Sequence, residues 1–120
     1  MSTLWEQSVP TAIGFREAQP RQVHVASDLR RIDVREYDEF VGSLGHLPGA
    51  EHVPLGQLEQ AMHCWGRNET IVLICRSGHR SAQACALLMQ HGFCRLINMT
   101  GGMFEYVAQG LPISREGVTI

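Results

Sequence analysis

Ile71-Val72-Leu73-Ile74-Cys75-Arg76-Ser77-Gly78-His79-Arg80-Ser81 decides how this chain folds. Four consecutive large apolar residues run straight into a cysteine, the chain turns through Ser77 and Gly78, and a helical pattern opens at about Arg80. A short, wholly apolar run bounded by turn residues suits a strand covered on both faces. Cys75 is therefore expected at the carboxyl end of a central parallel strand, just before a helix N-terminus, where open α/β sheets bind their ligands. The N–H groups of such a turn, and of the first helical turn after it, have no intrahelical partners. They form a concavity suited to an anion, aided by the positive end of the helix dipole. Arg76, His79 and Arg80 lie within five residues of the sulfur. Surroundings of this kind favour thiolate over thiol, and the thiolate is the nucleophile. The inert alternative is a buried strand-end cysteine packed as a small hydrophobe. Two arginines and a glycine turn are poor neighbours for such a residue.

Upstream, residues 1–21 read as an N-terminal extension: either a tail or a helix over about 8–19, with Pro10 near its first turn and Pro20 ending it. Gln22-Val23-His24-Val25-Ala26 alternates as a half-buried strand does, and Leu29 to Val34 reads as a second strand. Asp33 and Arg35 fall at the end of that strand. Asp33 has two readings. It could hold a loop arginine in a bidentate contact, or it could cap a short helix over 35–41. Residues 42–50 form a loop by composition, His52-Val53 a short strand, and 55–65 a helix with Leu55, Leu58, Met62 and Trp65 at helical spacing. Downstream, the pattern predicts a helix over 80–91 ended by Gly92, a last strand over 93–99, a turn at Thr100-Gly101-Gly102 and a final helix over 103–109. Cys85 faces the core of the first of these helices, and residues 114–120 read as a C-terminal tail.

One hundred and twenty residues suit one domain with a real core. A hydrophobic fraction of 44%, a charged fraction of 18% and a net charge of −2 give no basic surface for nucleic acid or for an anionic membrane. The arginines beside Cys75 are thus a local feature on a mildly acidic body, which fits a small anionic substrate. Cys64, Cys75, Cys85 and Cys94 contain no C-x-x-C pair and no zinc-ligand spacing, so no metal is expected. No signal-peptide pattern and no membrane-spanning run is visible, and a reduced, cytoplasmic protein with free thiols is the expectation.

The loop Cys75-Arg76-Ser77-Gly78-His79-Arg80 resembles the active-site loop of the rhodanese family of sulfurtransferases. Asp33-Val34-Arg35-Glu36, Gly45-His46-Leu47-Pro48-Gly49-Ala50, Val53-Pro54-Leu55, Gly101-Gly102-Met103 and Gly110-Leu111-Pro112 resemble further motifs of that family, in its order. The resemblance implies a three-layer α/β fold with a mostly parallel, about five-stranded sheet flanked by helices, occupying residues 22–113. It also implies a mechanism. Cys75 attacks the outer sulfur of a small anionic donor such as thiosulfate, sulfite leaves, and a persulfide on Cys75 passes its sulfur to cyanide or a thiol, which a partner protein could supply. That is two-step covalent catalysis without metal or organic cofactor. The loop amides and Ser77, Gly78 and His79 would form the cradle, Arg76 and Arg80 would draw in the donor, and Asp33 and Arg35 would support them. An arginine directly after the cysteine resembles thiosulfate users. His46 reads as structural, because a pre-ionised thiol needs no base. Tyr106 stands where the family often has tryptophan and would alter one wall of the pocket. Two other uses of the cysteine compete: a sulfur-carrying or redox-sensing module without turnover, and a cysteine phosphatase or arsenate reductase. The second needs five residues between cysteine and arginine, and this loop has four.

Overall fold

The computed structural model describes residues 2–117. Six strands form one sheet: β1 (Val9–Pro10), β2 (Arg16–Ala18), β3 (Arg30–Asp33), β4 (Glu51–His52), β5 (Ile71–Ile74) and β6 (Leu96–Met99). Their order across the sheet is β1-β2-β6-β5-β3-β4, parallel throughout except for the antiparallel edge pair β1/β2. The helices are α1 (Leu4–Gln7), α2 (Pro20–Val25), α3 (Tyr37–Phe40), α4 (Leu58–Ala61), α5 (His79–Gln90) and α6 (Gly102–Ala108). The helix expected over 55–65 is α4 with a 3₁₀ turn on either side.

β5 explains the three layers. All four of its residues are fully buried, and their side chains alternate between two cores. Ile71 and Leu73 join Leu58, Met62, Ala84 and Leu88 on one side of the sheet. Val72 and Ile74 join Val23, Ile97, Met103 and Tyr106 on the other. Burying each such side chain is worth roughly 1.5–3 kcal/mol, so a strand polar on either face could not occupy this position. Cys75 continues the alternation onto the α5 side.

The amino-terminal residues depart from expectation. Residues 8–19 form no helix. β1 and β2 make a hairpin, with Gly14 at φ +128° in the turn and the Thr11 hydroxyl and N–H both donating to the Phe15 carbonyl, at 2.6 and 3.0 Å. β2 then pairs in parallel with β6, so this part of the segment read as an extension belongs to the sheet. The partial apolar face was an accident of composition: Phe15 and Ala18 are buried, while Ile13 is exposed. Residues 22–26 form no strand. They lie in α2, where Pro20 is the first helical residue rather than a terminator, and the Gln22 side chain accepts from the Gln19 N–H at 2.9 Å. Val23 is fully buried and Val25 is 74% exposed, as residues two apart on a helix must be and residues two apart on a strand need not. α2 is the crossover between β2 and β3. At the other end, residues 114–117 are anchored to the 42–46 loop: His46 and Ser114 exchange backbone hydrogen bonds, and Arg115 donates to the carbonyls of Gly42 and Ser43. The rest of the expected tail, 118–120, lies outside the described residues.

Candidate active site around Cys75

β5 delivers Cys75 to the carboxyl edge of the sheet, and Gly78 turns the chain into α5. Gly78 stands at φ +103°, in the left-handed region that glycine enters at little cost. Its N–H points back at the sulfur, 3.0 Å from Sγ. The Ser81 hydroxyl lies 3.2 Å from Sγ. What turns the loop's amides inward is visible on its outer side. The Met103 N–H donates to the Cys75 carbonyl at 2.8 Å and the Phe104 N–H to the Arg76 carbonyl at 3.0 Å, so the first turn of α6 draws the loop's carbonyls outward. This approach depends on Gly102, at φ +58°. A Cβ there would be driven into the Cys75 carbonyl oxygen and the Arg76 peptide.

Cys75 is 1% exposed, and burial alone pushes its thiol up. The Ser81 hydroxyl and the amides of Ser81, Gly78 and Ser77 more than offset that, leaving the thiol below its ordinary range. Backbone amides and one hydroxyl are the groups that stabilise the anion, and the arginines expected to do so are not among them.

The arginines behave differently from expectation. Arg80, expected to be free for the donor, is paired. Both of its terminal nitrogens grip Glu39 of α3, each at 2.7 Å. That fork holds the Glu39 carboxyl down at about 2 and raises Arg80, to which the Cys75 charge contributes less than Glu39. Arg76 is exposed, its guanidinium 5.7 Å from the centre of the Phe104 ring, itself 59% exposed. Ser77 and His79 are also exposed, with Ser77 Oγ 3.4 Å from His79 Nδ1.

Asp33 pairs with no loop arginine and caps no helix. Its carboxylate takes the Arg35 guanidinium in a buried fork, with Nη2 at 2.8 Å and Nε at 3.0 Å, and accepts the Arg35 N–H at 3.1 Å. Asp33 is 0% and Arg35 1% exposed. Arg35 also donates to the Gly45 carbonyl, tying β3 to the loop that leads to β4. The cap of α3 is Glu36, whose N–H donates to Glu39 at 3.1 Å. Asp33 and Arg35 thus brace the scaffold beneath the site.

His46 is structural: its Nδ1 donates to the Phe40 carbonyl at 2.7 Å and its ring stacks on Phe40 at 3.6 Å. Tyr106 forms no wall of the site. It is buried in the core on the opposite side of the sheet from Cys75, and its hydroxyl donates to the Pro112 carbonyl at 2.6 Å. Cys85 is fully buried, and burial pushes its thiol up. Among the described residues the four cysteines are free, no cluster of metal-ligating side chains occurs, and no helix is long and apolar enough to cross a membrane.

Sequence reasoning missed Glu39 and Asn98, and gave Ser81 no role. The Ser81 hydroxyl donates to Asn98 Oδ1 at 2.5 Å, and Asn98 Nδ2 donates to the Gly78 carbonyl at 3.1 Å. The available signal was an asparagine inside the otherwise apolar run Leu96-Ile97-Asn98-Met99. A polar residue in a buried strand needs partners, and here they belong to Ser81 and Gly78, the two residues that also hydrogen-bond the sulfur.

Comparison with known proteins identifies relatives of this chain. The family model described as "Rhodanese-like domain" matches residues 20–109. A Bacillus subtilis protein named as a sulfur carrier, YrkF, is 34% identical over 93 residues, covering 78% of this chain and 49% of the relative, so the chain spans about half of that protein. A sulfurtransferase of Allochromatium vinosum is 34% identical over 97 residues, covering 81% of this chain and 89% of the relative. Among solved structures, a rhodanese-related protein from Thermoplasma volcanium superposes with a TM-score of 0.75 at 24% identity, covering 83% of this chain and 98% of the other.

Proposed function

The chain belongs to the rhodanese-like domain family of sulfurtransferases and sulfur carriers, and from that premise we propose that it is a thiosulfate-type sulfurtransferase acting through a Cys75 persulfide. The observation that carries the reading is the Gly78 N–H aimed at Sγ from 3.0 Å, with the Ser81 hydroxyl 3.2 Å from the same sulfur. The Cys75 thiolate attacks the outer sulfur of thiosulfate. The S–S bond of the donor breaks with its electron pair on the departing sulfite, and a new S–S bond forms on Cys75. A nucleophilic acceptor, cyanide or a thiol, then takes that outer sulfur and returns the thiolate. The loop amides, already oriented, stabilise the anion in both half-reactions without reorganising.

Donor recognition falls to Arg76. It is exposed beside the loop, whereas Arg80 is occupied by Glu39. Arg76→Ala is therefore expected to raise the thiosulfate KM by about threefold to tenfold with little change in kcat, an effect that shrinks as salt rises. Arg80→Ala should lower turnover and be matched by Glu39→Ala, since each breaks the same fork. Steady-state kinetics at two ionic strengths check both statements. The Arg80–Glu39 fork also weighs against phosphoryl transfer, which would want that guanidinium turned into the cradle.

The direct test is mass spectrometry of the protein after thiosulfate treatment. One sulfur is expected to be added, located on Cys75 and removed by cyanide. The redox-sensing reading predicts instead a stable adduct that no acceptor removes, and similarity to the Bacillus subtilis protein favours a carrier role as the second reading. No added sulfur from thiosulfate would end the thiosulfate assignment.

A further inference from the structure

We infer that Asn98 is a positioning residue that governs the charge on Cys75 Sγ through the single hydroxyl proton of Ser81. The inference rests on Cys75 being the reacting thiol. Its evidence is a chain of three contacts: Cys75 Sγ to Ser81 Oγ at 3.2 Å, Ser81 Oγ to Asn98 Oδ1 at 2.5 Å, and Asn98 Nδ2 to the Gly78 carbonyl at 3.1 Å. Ser81 is fully buried and Asn98 is 4% exposed, so neither exchanges these partners freely for water. Both stand on the α5 side of β5 and β6, where Cys75 also lies.

Hydrogen counting gives the mechanism. The Gly78 carbonyl can only accept, so it must face the amide NH₂ of Asn98, which puts Oδ1 toward Ser81. Oδ1 can only accept, so in this arrangement the Ser81 proton lies toward Asn98. Ser81 then offers the sulfur a lone pair, the right partner for an S–H donor. When Cys75 ionises, its proton leaves to solvent and the sulfur becomes an acceptor. Ser81 must then rotate its one hydrogen from Asn98 to Sγ, leaving Oδ1 without that donor. A buried amide oxygen that loses its partner disfavours the new state. Asn98 thus tempers the thiolate that the amides favour.

The charged and titratable groups around the sulfur are otherwise committed. Arg80 is paired with Glu39, and Asp33 with Arg35. Arg76 stands over Phe104, and His79 touches Ser77. Cys85 on α5 is buried, and Glu17 is the register partner of Asn98 on β2. None of these competes for the Ser81 hydroxyl in the structure, whose partners are Cys75 and Asn98.

The test is a double-mutant cycle read by the pH dependence of iodoacetamide alkylation at Cys75, using the wild type, Asn98→Leu, Ser81→Ala and the double variant. Asn98→Leu is expected to lower the alkylation midpoint and speed reaction on its acid side by about threefold to tenfold, the worth of one hydrogen bond. Ser81→Ala is expected to raise the midpoint, and in that background Asn98→Leu should shift nothing. A merely structural role for Asn98 would move the midpoint upward, or by the same amount with and without Ser81, and either result overturns the inference. If Asn98→Leu does not fold, Asn98→Ala removes the same oxygen and is read in the same cycle. Persulfide formation by the wild type is scored separately. Its absence counts against the transferase reading, whereas normal persulfide formation with an unshifted Asn98 variant counts against the inference alone.

Discussion

Cys75→Ser is expected to lose sulfur uptake from thiosulfate completely while the protein stays folded. The substitution exchanges sulfur for a slightly smaller oxygen at a site already lined with hydrogen-bond donors. The Gly78 N–H and the Ser81 hydroxyl would bond an alcohol oxygen as readily as they bond Sγ. The thermal or denaturant midpoint should therefore correspond to a change of no more than about 1 kcal/mol. Chemistry is another matter. An alcohol is not ionised at neutral pH, and an oxygen cannot hold the transferred sulfur as a persulfide does. The expected activity is that of buffer. Cys64 and Cys94 are exposed and Cys85 is buried, and none of the three is assigned transfer. Retained transfer by the serine variant would place the reacting sulfur on one of them and remove the assignment.

Asp33→Ala is expected to cost about 3–5 kcal/mol, the range for breaking a buried ion pair by deleting one partner. Small domains have about 5–15 kcal/mol of total stability, so this change alone brings the protein near unfolding. The size follows from what remains. Arg35 is 1% exposed and would keep a full charge with only the Gly45 carbonyl to accept from it. Replacing both members with apolar residues of similar volume should cost much less, because no orphaned charge is left. Urea denaturation of the single and double variants checks the claim. A loss below about 1 kcal/mol in Asp33→Ala would show that the fork contributes no more than an exposed pair does.

The sequence was most informative where burial and backbone geometry act together. Ile71 to Ile74, a short apolar run closed by turn residues, suited a two-faced strand, and Gly78 suited a turn, so the place of Cys75 followed. The resemblance added the order of the remaining motifs. Reading failed where two periods fit the same letters. Val23 and Val25 alternate, yet the Gln19–Gln22 contact and Pro20 at the first position made that segment a helix, and only one of the two valines is buried. β1 and β2 are two and three residues long, too short for any period to show. At the site, the residue types near Cys75 were legible but their pairing was not. Whether Arg80 faces a donor or Glu39 depends on where α3 sits, and that is decided by packing forty residues away in sequence. Asp33 had two readings, a loop arginine or a helix cap, and Arg35, two residues on, took its carboxylate instead.

The central claim is that amides and a hydroxyl hold the Cys75 sulfur as an anion at pH values where an ordinary thiol is protonated. Its most direct measurement is the rate of iodoacetamide alkylation of Cys75 in the wild-type protein as a function of pH, with modification located by peptide mapping. Because the folded protein holds this thiol below its ordinary range, the midpoint of the rate should fall at a lower pH than that of a free cysteine alkylated under the same conditions. A midpoint at or above that of a free cysteine would contradict the account.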